Sequence, residues 1–253
     1  MTLRHNPSPD VGLRDAVYRG WYNKQTGEVF TGFPVGPADT VVDVGCGDGG
    51  SAQFCASRGA RLILADVDAP RLEAAAQRLR NAGAPHVETL VAGGEALPIP
   101  NGTATRIICT EVLEHVDSPP AVLAELLRIG QPGARYLLSV PDPAAEHLQQ
   151  RVAPPLYFTR PNHLRIFEHA EFAQAVEQAG LVIEHRGSYG FFWTVWWTMF
   201  WSCGVDLANP DHPALTHWAL AWDALMDTDP GLRAKAALDD ALPKSQIIIA
   251  RKP

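Results

Sequence analysis

Residues 40–50 read TVVDVGCGDGG, a run of β-branched residues followed directly by a glycine-rich loop. The run predicts a short buried strand, because consecutive valines suit a strand that is covered on both faces. Gly45, Gly47 and Gly49 allow a sharp turn and a close approach of a ligand to the backbone, and the helix expected next offers free N–H groups. The glycines also satisfy G-x-G-x-x-G with Gly50, a pattern shared with nicotinamide- and flavin-binding proteins. The loop alone therefore does not choose the ligand.

Strand-like and helix-like segments alternate outward from this loop. The predicted strands are Thr40–Val44, Arg61–Ala65, His86–Val91, Arg106–Thr110, Arg135–Val140, Leu181–His185 and Ser245–Ala250. The predicted helices are Ser51–Arg58, Pro70–Ala82, Pro119–Ile129 and Glu168–Ala179. This order predicts an α/β fold with a parallel sheet that has helices on both faces.

The composition of the 253 residues suits a globular protein, with 46% hydrophobic and 19% charged residues. Twenty-one Lys and Arg against 28 Asp and Glu give a net charge of −7, which argues against nucleic acid as a partner. Four cysteines form no C-x-x-C pair, and we expect them to be reduced. The first ten residues do not look like a signal peptide. A cytoplasmic location is therefore the expectation.

Carboxylates and two further motifs stand near the ends of the next predicted strands. Asp43 lies two residues before the first glycine, where a carboxylate can pair with a cationic amino-acid ligand. Asp66 follows the second strand, the position from which a carboxylate accepts hydrogen bonds from both hydroxyls of a ribose. The segments GEALPIP (residues 94–100) and TEVLEHV (residues 110–116) follow in order.

These four elements in this order resemble class I S-adenosylmethionine-dependent methyltransferases, especially the group that includes the ubiquinone-pathway enzymes. The resemblance covers about residues 39–181. It implies a Rossmann-like, doubly wound, seven-stranded and mostly parallel sheet that ends in a reversed hairpin, with S-adenosylmethionine as the cofactor. The implied cofactor-binding residues are Asp43, Gly45, Cys46, Gly47, Asp66, Val67, Glu95, Ala96, Leu97 and Thr110.

The resemblance also assigns parts of the cofactor to these residues. The methionine part would lie at Asp43 and the first two loop glycines, the ribose at Asp66, and the adenine at Leu97 and its neighbours. One position departs from the family pattern, because Gly93 or Gly94 stands where an acidic residue usually meets the adenine amino group. Glu95 or backbone carbonyls would have to accept the hydrogen bonds of the adenine amino group instead.

Two readings are open for the chemistry of the acceptor. Glu111, Glu114 and His115 are spaced at i, i+3 and i+4, which predicts one face of a helix that begins after the fourth strand. With His163 they resemble the ligands of metal-bearing small-RNA 2′-O-methyltransferases, which implies a divalent metal at these four residues. In the alternative no metal is held, and His115 or His163 is the general base. The candidate catalytic residues are accordingly Glu111, His115 and His163.

Residues 189–243 hold six of the seven tryptophans. Trp193, Trp196, Trp197, Phe200 and Trp201 follow helical spacing, and the pattern is repeated by Leu215, Trp218, Ala219, Trp222, Leu225 and Met226. The two runs predict a pair of lid helices, with Trp193, Trp197 and Trp201 touching the acceptor. A homodimer interface, plain core and contact with a membrane surface are the alternatives. Stable insertion into a membrane is not expected, because the segment lies between two strands of one sheet.

The sequence thus predicts a capping segment over residues 1–38 and a methyltransferase domain over residues 39–253, with the helical lid at residues 189–243. The favoured function is transfer of a methyl group from S-adenosylmethionine to a small hydrophobic or aromatic molecule, at a hydroxyl oxygen. Two alternatives are a non-catalytic protein that binds S-adenosylmethionine and docks through its tryptophans, and a nicotinamide-dependent oxidoreductase.

Overall fold

The computed structural model describes residues 6–253, which form two compact units. The sheet unit consists of Tyr22–Val140, Phe167–Gly187 and Ile247–Pro253. The helical unit consists of the described residues up to Trp21 together with Pro141–Ile166 and Ser188–Gln246.

The secondary structure alternates between strands and helices through most of the chain. The strands are β1 (Trp21–Asn23), β2 (Glu28–Phe30), β3 (Phe33–Pro34), β4 (Thr40–Val44), β5 (Arg61–Asp66), β6 (Val87–Val91), β7 (Ala104–Thr110), β8 (Gly130–Pro141), β9 (Val182–Tyr189) and β10 (Ser245–Arg251). The α-helices are α1 (Ser8–Tyr18), α2 (Gly50–Ser57), α3 (Ala69–Asn81), α4 (Pro119–Ile129), α5 (Pro143–Val152), α6 (His169–Gln178), α7 (Phe191–Ser202), α8 (Pro213–Met226) and α9 (Asp229–Ala241). A short 3₁₀ helix covers Pro155–Phe158.

Seven strands form one sheet in the order β6-β5-β4-β7-β8-β10-β9. The pairs β4–β5, β5–β6, β4–β7 and β7–β8 are parallel. The chain runs from β4 outward to β5 and β6 and then returns to place β7 on the other side of β4. This reversal of strand order next to β4 is the point where open α/β sheets bind ligands, at the carboxyl ends of the strands. The predicted fold class is confirmed.

The sheet is built from the runs that the sequence marks as strands. Val41, Val42 and Val44 are fully or almost fully buried, as expected of a central parallel strand. The observed bounds of β4 and α4 are those predicted, and β8 is longer because it begins at Gly130. Leu138 of β8 and Phe172 of α6 are fully buried in the hydrophobic core of this unit.

Residues 6–38 are divided between the two units, whereas the sequence predicts a single capping segment over residues 1–38. Residues 1–5 of that prediction lie outside the described residues. Helix α1 belongs to the helical unit, and β1, β2 and β3 form a small three-stranded sheet. The predicted lid helices are α7 and α8, which share the helical unit with α1, α5 and α9.

The core of the helical unit is aromatic. Phe192, Trp196 and Phe200 on α7 are buried with Trp222 of α8, at spacings of four residues that place the α7 side chains on one face. None of the helices within residues 6–253 is long and apolar enough to cross a membrane.

A buried charged cluster fixes the start of α7. The carboxylate of Asp239 accepts hydrogen bonds from the backbone N–H groups of Gly190 (3.0 Å) and Phe191 (2.9 Å), two groups that have no partner within the helix. Lys235 Nζ lies 2.5 Å from Asp239 Oδ2 and 3.1 Å from Asp15 Oδ1. The Lys235 ammonium therefore links α1 to α9, and through Asp239 it holds the beginning of α7.

Candidate functional site

The glycine loop after β4 adopts a backbone that only glycine tolerates easily. Gly45 has φ +69° and Gly47 has φ +51°, both in the left-handed region. The N–H of Gly45 donates to the carbonyl of Ala65 (2.8 Å), which ties the loop to the end of β5. A Cβ atom on Gly45 would lie 2.3 Å from Cγ2 of Val112. Any side chain at position 45 would therefore collide with the segment that follows β7.

Asp43 is a buried carboxyl group at the start of this loop. Its side chain is only 3% exposed, and burial together with the nearby charge of Asp66 raises the pKa of Asp43 from 3.8 to about 7. A buried carboxylate is stabilised by a cation placed beside it. The position thus suits the ammonium group of an amino-acid ligand.

Asp66 holds the loop from the end of β5. One carboxylate oxygen accepts a hydrogen bond from the N–H of Gly47 (2.9 Å), and the other accepts from the N–H of Asp68 (3.0 Å). The carboxylate is thereby fixed at the carboxyl end of the sheet, beside the reversal of strand order. Val67 is exposed next to it, and Cys46 is buried within the loop. Burial raises the pKa of the Cys46 thiol to about 12, so this cysteine is a neutral, unreactive group.

The segment after β6 is anchored by α4. The N–H of Leu97 donates to Glu125 Oε2 (2.9 Å), and the buried Leu97 side chain joins the core, whereas Ala96 is exposed. Glu95 Oε1 accepts a hydrogen bond from the N–H of Ser118 (2.9 Å), the residue before α4. The carboxylate predicted to meet the adenine therefore has a partner within the protein.

Of the two glycines that stand where the family pattern has an acidic residue, Gly94 is closely packed, whereas a Cβ atom on Gly93 would lie 3.9 Å from Val67 Cγ1, an ordinary contact. A Cβ atom on Gly94 would lie 3.1 Å from Val122 Cγ1 and 3.3 Å from Val44 Cγ1. Both distances are tighter than normal contacts, so a larger side chain at position 94 would displace core residues.

The prediction that Glu111, Glu114 and His115 share one helical face is wrong. Glu111 has φ +56°, a left-handed conformation that an α-helix cannot contain, and α4 does not begin until Pro119. The Glu111 N–H donates to the Ser139 carbonyl (3.0 Å), and its carboxylate accepts from the Ser139 hydroxyl (2.9 Å). Such strain in a residue other than glycine is typical of functional sites.

The turn after Glu111 still brings two of these predicted residues together. Glu114 is 1% exposed, and its Oε1 lies 3.6 Å from Nε2 of His115, which is half-buried. Thr110 is the last residue of β7, directly before the strained position. Val112 packs against Gly45, so this turn is in direct contact with the glycine loop.

His163 belongs to the helical unit, where it forms a carboxylate–histidine pair. Its Nδ1 lies 2.7 Å from Oε2 of Glu146, and both side chains are buried. Tyr157 donates its hydroxyl to the other oxygen of Glu146 (3.0 Å), and its ring lies 4.5 Å from the His163 ring. The contact of Nδ1 with the Glu146 carboxylate fixes the orientation of the His163 ring. A carboxylate–histidine pair of this kind can orient a general base.

The three tryptophans predicted to touch the acceptor have different surroundings, although all are half-buried. Trp193 is packed tightly against α1, since a Cβ atom on Gly12 would lie 2.2 Å from its ring. Trp197 stacks on Trp201 at 5.7 Å, and the Trp201 ring lies 5.7 Å from that of Tyr157. Trp197 and Trp201 are thus connected to the Glu146–His163 pair, whereas Trp193 contributes to packing.

Three residues of interest escape the sequence analysis. No sequence pattern marks Glu146 and Tyr157, because their contacts with His163 depend on tertiary structure and follow no period in the sequence. Tyr22 lies beside the first turn of α2, where its hydroxyl is 3.8 Å from a Cβ atom placed on Gly50. Burial raises the pKa of the Tyr22 phenol, and a hydrogen bond with Ser51 partly offsets this. Tyr22 also has a positive φ of +53°, a feature that is visible only in the structure.

A family model described as a methyltransferase domain matches residues 20–186. The chain belongs to the methyltransferase domain family. The resemblance to class I S-adenosylmethionine-dependent methyltransferases that the sequence predicts is therefore confirmed. The match covers β4 to β7 with the glycine loop, Asp66 and the strained turn at Glu111.

Individual methyltransferases are similar over shorter stretches. An uncharacterized methyltransferase of Mycobacteroides abscessus is 37% identical over 100 residues, or 40% of this chain and 39% of that protein. A ubiquinone biosynthesis O-methyltransferase of Pseudomonas paraeruginosa is 35% identical over 101 residues, or 40% of this chain and 43% of that protein. The aligned part of the chain thus spans about two fifths of these curated relatives.

Solved methyltransferase structures share the fold over almost the whole chain. A geranyl diphosphate methyltransferase in complex with S-adenosylmethionine aligns with a TM-score of 0.60 and 20% identity, covering 97% of this chain and 85% of that chain. A putative methyltransferase bound to the Haloferax volcanii activator Trm112 aligns with a TM-score of 0.59 and 18% identity, covering all of both chains. At 20% and 18% identity these structures show a shared fold and no more.

Proposed function

We propose that this methyltransferase domain transfers a methyl group from S-adenosylmethionine to a hydroxyl oxygen of a small aromatic or hydrophobic acceptor. The Glu146–His163 pair is the observation that favours an oxygen acceptor. An alkyl or aryl hydroxyl must lose its proton during the transfer, and a histidine can accept that proton. The relative of Pseudomonas paraeruginosa that bears the name O-methyltransferase supports the same choice.

The residues of the glycine loop fit the cofactor. Asp43 would pair with the ammonium group, because the buried carboxylate gains a cation there. Asp66 would accept from the ribose hydroxyls, and Leu97 would pack against the adenine. Tyr22, next to the free N–H groups at the start of α2, would help to bind the carboxylate of the methionine part.

When bound, S-adenosylmethionine supplies a methyl group on a positively charged sulfur, already activated for in-line displacement. His163 would take the proton of the acceptor hydroxyl as the oxygen receives the methyl group, and S-adenosylhomocysteine would be the leaving product. Glu146 fixes the tautomer of the ring and stabilises the imidazolium that results. The products are a methyl ether, S-adenosylhomocysteine and a proton held on His163.

Binding of a divalent metal by Glu111, Glu114, His115 and His163 stays a prediction. Glu111, Glu114 and His115 belong to the sheet unit and His163 belongs to the helical unit. A divalent ion at these four residues would lower the pKa of an acceptor hydroxyl. The mechanism proposed above needs only the Glu146–His163 pair.

The test is a transfer assay with a panel of phenols and other hydroxyl compounds, in which methylated product is measured by mass spectrometry. We expect His163→Ala to lower kcat by about 10²- to 10⁴-fold, the range for loss of a general base, without weakening S-adenosylhomocysteine binding. Glu146→Gln, which cannot stabilise the imidazolium, should lower kcat in the same direction. His147→Gln is the control, because His147 is exposed on the same helix as Glu146. Full activity of both His163→Ala and Glu146→Gln would refute the proposed base.

A further inference from the structure

Helix α3 packs directly against the glycine loop. A Cβ atom on Gly49 would lie 3.4 Å from Cβ of Ala75, and a Cβ atom on Gly47 would lie 3.4 Å from Cζ of Arg71. Both distances are ordinary van der Waals contacts, so the helix touches the loop backbone at two places. The same helix begins shortly after Asp66. It is therefore in contact with the loop and continuous with the carboxylate that is proposed to bind the ribose.

Two arginines of α3 bind Asp48 of the loop. Arg71 donates two hydrogen bonds to the Asp48 carboxylate, from Nε to Oδ1 (3.1 Å) and from Nη2 to Oδ2 (2.9 Å). Arg78 donates from Nη2 to the backbone carbonyl of Asp48 (2.7 Å). Residues 71 and 78 are two helical turns apart and lie on one face of α3. We call Asp48, Arg71 and Arg78 the loop clamp, since the two arginines hold both the side chain and the backbone of Asp48.

The loop has a composition that makes such a hold important. Residues 45–50 read GCGDGG, and glycine loses more backbone freedom on ordering than any other residue. Asp48 lies between Gly47 and Gly49, so it offers a side chain through which the helix can hold this part of the loop. A loop that is ordered before the ligand arrives binds it more tightly, because binding then costs less conformational entropy.

We infer that Arg71 and Arg78 are positioning residues for the cofactor, which hold the glycine loop in its binding conformation and make the affinity for S-adenosylmethionine sensitive to ionic strength. This inference rests on the proposed placement of the cofactor at this loop. The side chains of Arg71 and Asp48 are 52% and 72% exposed, so dissolved salt screens their attraction. A higher salt concentration therefore weakens the hold of α3 on the loop, and the affinity for the cofactor falls with it.

The test is calorimetric titration of S-adenosylhomocysteine, and separately of S-adenosylmethionine, into the full chain. Arg71→Leu and Arg78→Leu should each weaken the binding of both ligands by about three- to tenfold, the range expected for loss of exposed charge-assisted hydrogen bonds. Between about 0.01 M and about 1 M salt, the affinity of the wild type should fall by about threefold. Arg71→Leu should lose most of this salt dependence, because the screened ion pair is already absent.

The matched control is Arg80→Leu, which removes an exposed arginine of the same helix that pairs with Glu73 at 3.0 Å. It should keep the wild-type affinity for both ligands. Asp48→Ala should weaken binding about as much as Arg71→Leu, and the double variant should lose little more, because both substitutions remove the same ion pair. Arg71→Lys keeps the charge without the bidentate geometry and should restore part of the affinity.

Wild-type affinity in both Arg71→Leu and Arg78→Leu, or fully additive losses in the double variant, would overturn the inference. A loss for only one of the two ligands would also overturn it. S-adenosylmethionine carries a positive charge on sulfur that S-adenosylhomocysteine lacks, so an effect of the removed charge alone would differ between them. Asp66→Ala tests the cofactor placement separately, since an unchanged affinity in that variant would refute the placement. A loss in Asp66→Ala with none in the arginine variants would refute only the role of the loop clamp.

Discussion

Replacing Asp43 by Asn should remove a pH-dependent loss of stability from the cofactor-free protein. Burial and the charge of Asp66 raise the pKa of the Asp43 carboxyl from 3.8 to about 7, whereas in the unfolded chain it titrates near its ordinary value. Between these two values the folded protein binds more protons than the unfolded chain. The free energy of unfolding therefore falls as the pH rises through this range, and the loss is complete above pH 7.

The two pKa values set the size of the effect. Each pH unit over which the folded and unfolded states differ by one proton changes the free energy of unfolding by about 1.4 kcal/mol. Between pH 5 and pH 8, Asp43 should thus destabilise the folded protein by about 2.5 kcal/mol. Asn carries no titratable proton, so the variant lacks this contribution whatever its absolute stability.

Urea unfolding of both cofactor-free proteins at pH 5, 6, 7 and 8 measures the difference directly. The free energy of unfolding of the wild type minus that of Asp43→Asn should fall by about 2.5 kcal/mol across this range. Asp48→Asn is the control, because Asp48 is exposed and its hydrogen bonds to Arg71 lower the pKa of its carboxyl. A difference between wild type and Asp43→Asn that does not change with pH would refute the reasoning.

Three further predictions follow from single contacts. Gly45→Ala should weaken S-adenosylhomocysteine binding and lower the free energy of unfolding in urea. The loss of stability should exceed the roughly 1 kcal/mol expected of Gly83→Ala, since Gly83 has a similar positive φ but no neighbour within 4 Å. Equal losses of stability in the two variants would contradict the role of the Val112 contact. Lys235→Met should cost about 3 to 5 kcal/mol in urea unfolding, because it removes the cation that lies between the buried carboxylates of Asp15 and Asp239, whereas Lys24→Met, at an exposed lysine, should have little effect. If the metal reading holds, chelation should abolish turnover without loss of cofactor binding, measured by calorimetry; full activity in chelator would leave only the general-base mechanism.

The sheet and the cofactor loop could be predicted because local patterns determine them. Consecutive β-branched residues in Thr40–Val44 specify a buried strand, and the prolines at the start of Pro119–Ile129 specify where that helix begins. Glycines at positive φ leave a direct mark in the sequence, as at Gly45. Asp66 could be found because its role depends on its place at the end of a strand.

The acceptor side could not be predicted in the same way. Helical spacing at Glu111 gave a wrong prediction, because spacing carries no information on a left-handed φ that interrupts the helix. The pairing of Glu146 with His163 joins positions 17 residues apart through tertiary packing. The tryptophan pattern marked α7 as a helix, but only the folded chain separates the buried Trp196 from the half-buried Trp201.

Transfer of a ¹³C-labelled methyl group from S-adenosylmethionine tests the central claim most directly. The protein is incubated with labelled cofactor and the panel of phenols and other hydroxyl compounds. The product is examined by NMR, where the chemical shift of the methyl carbon separates O-methyl from N-methyl and C-methyl products. We expect an O-methyl signal from the wild type and from His147→Gln, and a greatly reduced one from His163→Ala. A methyl signal on carbon or nitrogen, or an undiminished O-methyl signal from His163→Ala, would contradict the account.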